Sequence, residues 1–251
     1  MSSPAGDQIT VAVDVEKRRG FRHSLMVSTR GALLGAAAGA WAGLLVGGAG
    51  GRLAMFVLRL TSPNYVRGIK SDDEFEIGRF SFDTVFLLAL TTIAGAVVGM
   101  VFVAIRRALP VSWRVWAWTL VGGTVGGSLI LHADGVDFNV LEPTWLAVVM
   151  FVTIPAGGAA LMAVWVERWD RWWFTYRRRT IVTALPTVLL VPVIFPLVVA
   201  VAAVVAVSVA SQSGTVRAAV GRVGPPIGRV ALVIVAALAS WALFNDITEI
   251  L

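Results

Sequence analysis

The sequence predicts an all-α, polytopic helical membrane protein that crosses the bilayer about six times. Hydrophobic residues occupy 57% of the 251 positions and charged residues only 14%, which is about half the charged share of a soluble domain. The charges are also clustered, and they leave several uncharged stretches of the ~20 residues that a helix needs to cross the hydrocarbon core. A water-soluble globular domain is therefore excluded.

The first four spans are bounded by polar or charged segments. We expect a disordered basic tail over residues 1–30 and one transmembrane domain over residues 31–179. A dense basic and aromatic block, 167–179, closes that domain. The spans are expected at about residues 31–53, 84–105, 115–131 and 144–166.

The remaining region, 180–251, predicts one or two further spans. Its first part is uncharged but is interrupted by Pro186, Pro192 and Pro196, which break helical hydrogen bonding. One interpretation, which we favour, is a long kinked fifth span followed by a sixth at about residues 229–245. The alternative is a re-entrant hairpin that returns to the cytoplasmic side and leaves the C-terminus outside.

The positions of lysine and arginine predict the orientation. Basic residues of the tail, of the 106–114 loop and of the 167–179 block fall on one side, whereas the 132–143 loop has none. Because basic loops stay in the cytoplasm, we expect a plasma-membrane protein with a cytoplasmic N-terminus. The net charge of +6 then indicates a lipid bilayer partner with anionic headgroups rather than nucleic acid.

The clearest pattern is a ladder of six glycines with a four-residue step. This step places them on one stripe of a helix, and small-residue stripes in membranes let a partner helix approach closely. The partner is either another helix of the chain, for which the third span is the candidate, or another subunit or second copy. The ladder is Gly31, Gly35, Gly39, Gly43, Gly47 and Gly51.

A weak internal repeat relates the first span to the third. Residues 45–53 resemble residues 120–129, and an acidic outer loop follows each segment. The region is then either two duplicated helical hairpins plus a C-terminal pair, as parallel repeats in transporters would suggest, or a coincidence of low-complexity composition.

Ionisable residues at the outer ends of spans one and three form a candidate ligand or proton site. Arg52 lies near the outer boundary, where its side chain either snorkels to headgroups or binds an anion. His132, Asp134 and Asp137 follow the third span, and histidine titrates near neutral pH.

Metal, cofactor and catalytic sites are not expected. The chain has no cysteine and two histidines, which argues against zinc, haem and thiol chemistry. The acidic outer loops lack the ligand spacing of an EF-hand, and no nucleotide-binding or hydrolase motif is present.

The basic and aromatic block is expected to contact lipid headgroups at the inner face. Its tryptophans recur at helical spacing beside arginines, a pattern typical of an interfacial helix. The predicted interface residues are Trp165, Arg168, Trp169, Arg171, Trp172 and Arg178.

Residues 50–55, 72–80 and 132–138 resemble uncharacterised multi-pass membrane proteins of actinobacteria. The resemblance covers about the first two thirds of the chain. It implies a family of polytopic membrane proteins but transfers no activity and no functional residue.

Short loops and a packing stripe favour a non-enzymatic accessory or scaffolding subunit that packs through its glycine-rich helices onto other membrane proteins or itself. The alternative is a small-solute or ion transporter or channel with a path near the outer ends of spans one and three. A lipid-processing enzyme is the third hypothesis, but no nucleophile or base supports it.

Overall fold

The computed structural model describes residues 26–63, 82–131, 142–173, 177–189 and 214–250. These residues are helical apart from short connections, with no strand among them. Two 3₁₀ turns, Arg106–Ala108 and Val111–Trp113, join the second helix to the third. The helices are α1 (Met26–Thr61), α2 (Phe82–Ile105), α3 (Arg114–Ile130), α4 (Thr144–Trp169), α5 (Arg177–Leu189) and α6 (Gly214–Ile250).

Within the described residues, four helical segments are long and apolar enough to cross a membrane. They are Met26–Thr61, Thr84–Ala108, Thr144–Trp169 and Gly228–Ile250. The third predicted span corresponds to α3, whose 17 residues measure about 25 Å at 1.5 Å per residue. The all-helical membrane fold is therefore supported, but a count of six spans is not confirmed. The tail before residue 26 and residues 190–213 lie outside the described residues.

Four helices meet at one end of the bundle, which we call the basic end. Arg30 in α1 donates hydrogen bonds to the backbone oxygens of Asp170 and Trp173 after α4. Arg106, which follows α2, forms an ion pair with Asp170, and Arg114 at the start of α3 forms one with Glu167. The start of α1, the end of α2, the start of α3 and the end of α4 therefore lie together.

The other end of the bundle, which we call the opposite end, is held by hydrogen bonds and an apolar cluster. Thr61 Oγ1 donates to the backbone oxygen of Glu142 at 2.8 Å, and the Glu142 amide donates to Ser62 Oγ at 2.9 Å. These bonds join the end of α1 to the start of α4. The cluster contains Leu58, Leu131, Ala147, Val148, Phe151 and Leu243, with Ile247 and Ile250 packed against it.

The apolar part of α6, Gly228–Ile250, runs from the basic end to the opposite end. Arg229 Nε donates to the backbone oxygen of Ala108 in the turn after α2, and Ile250 packs at the opposite end. The end of α4 and Arg229 of α6 therefore lie at the same end of the bundle. Six alternating spans would instead start the last span at the opposite end, so the direction of α6 matches the re-entrant alternative.

The first helix is the centre of the bundle. Nearly every residue from Ala32 to Ala42 is buried, whereas a helix on the outside would bury one stripe. One face of α1 packs with Ala96 and Met100 of α2. Another contributes to a larger core cluster that includes Phe102, Trp118, Met162 and Val166. Alanine and glycine predominate in this half of α1, which lets neighbouring helices approach from several sides.

The direction of α6 predicts that the loop after α2 and the C-terminus lie on different sides of the membrane. Ser112 and Thr248 are both exposed, one at each end, and the natural chain has no cysteine that would interfere. We expect an impermeant thiol reagent applied to intact cells to label only one of the variants Ser112→Cys and Thr248→Cys. The other should react only after permeabilisation; labelling of both from the same side would contradict this arrangement.

Candidate functional site

The glycine ladder of α1 brings the backbones of α1 and α2 into contact. A methyl group placed on Gly39 would overlap the carbonyl oxygen of Gly95 and lie 2.7 Å from its carbon. One on Gly35 would overlap the carbonyl oxygen of Gly99 and lie 2.8 Å from its carbon. The relation is reciprocal, because methyl groups on Gly95 and Gly99 would overlap the oxygens of Gly39 and Gly35. Each glycine Cα therefore faces a carbonyl oxygen across the interface, an arrangement typical of weak Cα–H···O bonds.

The partner of the stripe is thus a helix of the same chain, but it is α2 and not the third span. The physical reason is that Gly95 and Gly99 repeat the four-residue step of Gly35 and Gly39, so that two antiparallel small-residue stripes face each other. Gly43 continues the contact, since a methyl group there would overlap the carbonyl oxygen of Thr91.

The remaining ladder residues are less constrained. A methyl group on Gly31 would lie 3.1 Å from Val103 Cγ1, and one on Gly47 would lie 3.3 Å from Thr91 Cβ. One on Gly51 would meet no atom within 4 Å. The closest approach is therefore confined to the middle of the ladder.

The second hairpin, α3 and α4, also packs through small residues but in a different way. Methyl groups on Gly122 and Gly126 of α3 would overlap the side chains of Ala159 and Pro155. Gly158 of α4, by contrast, faces Val46 of α1. Because the two hairpins use different positions for their close contacts, duplication is not confirmed.

The charged residues at the basic end form a network that links α2, α3 and α4. Arg106 lies 3.0 Å from an oxygen of Asp170 and 3.8 Å from one of Glu167, and Arg114 lies 3.2 Å from the same Glu167 oxygen. The Arg106 and Arg114 side chains are mostly buried, 13% and 17% exposed. Such partly buried charges need their partners, because an isolated charge in this position would lose hydration without compensation.

The aromatic block packs partly inside the bundle. Trp169 and Trp173 are buried in the large core cluster, and Trp165 stacks on Trp169 with ring centroids 5.3 Å apart. These rings therefore do not all lie at a lipid surface. Arg168 and Arg171 are exposed, and Trp165 and Trp172 are partly buried. The side chain of Arg178 lies outside the described residues.

Two tryptophans hold α5 against the bundle. Trp41 of α1 donates through its indole nitrogen to the backbone oxygen of Thr183 at 2.9 Å, and Trp173 donates to the Thr183 hydroxyl at 2.8 Å. The 13 described residues of this helix, Arg177–Leu189, lie against the half of α1 nearer the basic end.

Of the candidate ligand residues, the described part of the chain includes Arg52 alone. Its side chain is buried, 7% exposed, rather than extended to headgroups. It follows a π-helical segment, Gly43–Gly50, and lies 22 residues after Arg30, roughly 30 Å along the helix. Arg52 is therefore enclosed by protein near the opposite end. His132, Asp134 and Asp137 lie outside the described residues.

Among the described residues, no group of three or more His, Cys, Asp or Glu side chains could hold a metal ion. Comparison of the chain with protein-family models, curated proteins and solved structures finds no match. The geometry of the bundle is therefore the basis for a functional proposal.

Two features of this arrangement escaped the sequence analysis. The pairing of α1 with α2 was signalled by the four-residue spacing of Gly95 and Gly99, which matches the ladder. The role of Glu167 and Asp170 was signalled by their position as two carboxylates within a block of arginines. A partly buried carboxylate loses hydration, and pairing with a neighbouring cation offsets that loss.

A methyl group at the glycine contact should destabilise the protein strongly. Gly39→Ala would force a Cβ against the Gly95 backbone, which can yield only if the helices separate. We expect a loss of about 3 kcal/mol in unfolding free energy, measured by thermal or denaturant unfolding in detergent. Gly51→Ala is the matched control, on the same stripe but with open space, and should change stability by less than about 0.5 kcal/mol. Equal effects of the two substitutions would contradict the proposed contact.

Removal of the shared carboxylate should loosen the basic end. Glu167→Gln keeps the shape of the side chain but removes the charge that faces Arg106 and Arg114. Because the side chain of Glu167 is 32% exposed, we expect a moderate loss of about 1–2 kcal/mol in the same unfolding measurement. Glu249→Gln, at an exposed position at the opposite end, is the control and should leave the unfolding free energy unchanged. An unchanged unfolding free energy in Glu167→Gln would show that the network does not stabilise the bundle.

Proposed function

We propose that the protein is a non-enzymatic accessory or scaffolding subunit of a plasma-membrane assembly. The observation that carries this proposal is the backbone contact between α1 and α2, in which Gly35, Gly39 and Gly43 face Thr91, Gly95 and Gly99. A solute path between these helices would need space that the contact removes. The central helix therefore acts as a packed support.

The charge distribution supports the same role. The inward-facing cations of the basic end, Arg106 and Arg114, are balanced by Glu167 and Asp170. Between the two ends, the helices α1 to α4 carry no charged residue from Gly31 to Gly51, Thr84 to Ile105, Val115 to Ile130 or Thr144 to Val166. A transporter for a charged solute commonly places an ionisable residue at such depth.

Partner proteins would bind elsewhere than on the glycine ladder, because α2 already covers its middle. Of the four segments that could cross a membrane, the last has the most exposed surface: only 6% of its apolar stretch is buried inside the chain, against 28% for the α2 and α4 segments. Its outward side carries large side chains such as Val233, Leu238, Trp241 and Phe244. We therefore propose α6 as the helix that contacts other subunits or a second copy.

For the topology we propose a cytoplasmic basic end and five crossings, by α1, α2, α3, α4 and α6. The excess of arginine at the basic end supports this orientation, because loops rich in basic residues remain in the cytoplasm. The N-terminus then lies in the cytoplasm, and the C-terminus outside.

The alternative function is a small-solute or ion transporter with a site near the outer end of α1. One observation favours it: Arg52 is buried at that end, after a π-helical stretch, and π-helical segments occur often at functional sites. In this alternative, Arg52 would bind an anionic group of the solute.

The size of the native assembly tests the accessory role. In mild detergent, we expect the protein to run in a complex of defined stoichiometry, well above the 26.7 kDa of one chain. The double variant Trp241→Ala and Phe244→Ala should reduce this size without lowering the melting temperature, because both side chains are exposed within the chain. Trp145→Ala, an exposed tryptophan on α4 at the same end, is the control and should leave the complex intact.

A single-chain particle that moves solute across proteoliposomes would contradict the accessory role. If that flux were lost in Arg52→Gln but kept in Arg59→Gln, the transporter alternative would replace it.

A further inference from the structure

The basic end carries more positive charge than its carboxylates balance. Arg106 and Arg114 pair with Glu167 and Asp170, and Arg30 and Arg229 donate to backbone oxygens. Arg107, Arg168 and Arg171 are exposed, and none of them forms an ion pair within the described part of the chain. Three cations therefore remain available for an external anion.

These three arginines lie around the same pair of carboxylates. Arg107 follows Arg106, whereas Arg168 and Arg171 directly follow Glu167 and Asp170. Since Arg106 reaches both carboxylates at 3.8 and 3.0 Å, the backbones that bear the three exposed side chains are held close together. A patch of positive charge results, and the paired residues fix its position.

Two exposed tryptophans lie at the same level. Trp113 and Trp116 are 66% and 69% exposed, and they flank Arg114, whose guanidinium lies 3.2 Å from Glu167. Amphipathic indole rings prefer the headgroup level of a bilayer. These rings, rather than the buried Trp169 and Trp173, are in position to contact lipid.

We propose that Arg107, Arg168 and Arg171, with Trp113 and Trp116, form a binding surface for the headgroups of anionic phospholipids. Guanidinium groups bind phosphate oxygens through paired hydrogen bonds, and excess positive charge favours a lipid whose headgroup keeps a net negative charge. The occupant is a lipid rather than an acidic protein, because the charges lie where apolar spans end and exposed indoles begin. The inference needs membrane insertion but not the accessory role.

The test is the selectivity with which the purified full-length protein retains lipid. The protein is equilibrated in detergent with equal amounts of phosphatidylglycerol and phosphatidylcholine of the same acyl chains, and the retained lipids are counted by mass spectrometry. We expect phosphatidylglycerol to be enriched, and each of Arg107→Gln, Arg168→Gln and Arg171→Gln to reduce the enrichment up to about fivefold. The enrichment should also fall as salt is added.

Arg59→Gln, which removes one positive charge at the opposite end, is the matched control and should keep the enrichment. The triple Arg→Lys variant of the three positions retains the charge and should lose less of the phosphatidylglycerol enrichment than the triple Arg→Gln variant. In phosphatidylcholine, both triple variants should keep the melting temperature of the unsubstituted protein. Equal retention of the two lipids, or enrichment that survives the triple Arg→Gln change, would overturn the proposal.

Discussion

The contact between the backbones of α1 and α2 is the constraint on which the bundle depends. Helices in a bilayer gain little from the hydrophobic effect, because lipid tails are as apolar as leucine. Their association relies on close packing and on weak polar contacts, and glycine is the residue that allows both. In this protein Gly35 and Gly39 face Gly99 and Gly95 reciprocally. Cα–H···O contacts of this kind contribute about 0.5–1 kcal/mol each.

The position of α1 follows from this contact. With α2 against one side, the alanines on the other sides of α1 are covered by core residues from α3 and α4 such as Trp118 and Met162. The charged residues then close the basic end, where Arg106 and Arg114 share Glu167. The apolar interior and the polar ends are thus parts of one arrangement, with neutral helices between two polar boundaries.

The sequence predicted the positions of α1 to α4 well because span length and charge placement are dictated by the bilayer. The boundaries near Arg106, Arg114 and Glu167 follow directly from where charge is tolerated. The pairing of the helices was harder to predict, since a glycine stripe indicates that another helix approaches closely but not which helix it is. The direction of α6 was ambiguous for a similar reason: proline positions are compatible with a kinked span and with a re-entrant segment.

Burial of the aromatic block could not be read from periodicity either. Helical spacing places Trp165, Trp169 and Trp172 near one another, but lipid and protein interior are both apolar, so the pattern does not say which of them the rings face. Arg52 posed the same difficulty at the opposite end. Its distance along the helix predicted the boundary, whereas its burial depends on neighbouring helices.

Cross-linking of α1 to α2 tests the central contact most directly, in a chain that has no cysteine of its own. Ala40 and Ala96 belong to the same buried cluster between these helices. The double variant Ala40→Cys and Ala96→Cys, treated in membranes with a thiol cross-linker that spans only touching helices, should give an internal link within one chain. A link between two chains would contradict the contact between α1 and α2. So would the absence of any link in this variant, if Ala40→Cys formed a link with a cysteine placed in α3 instead.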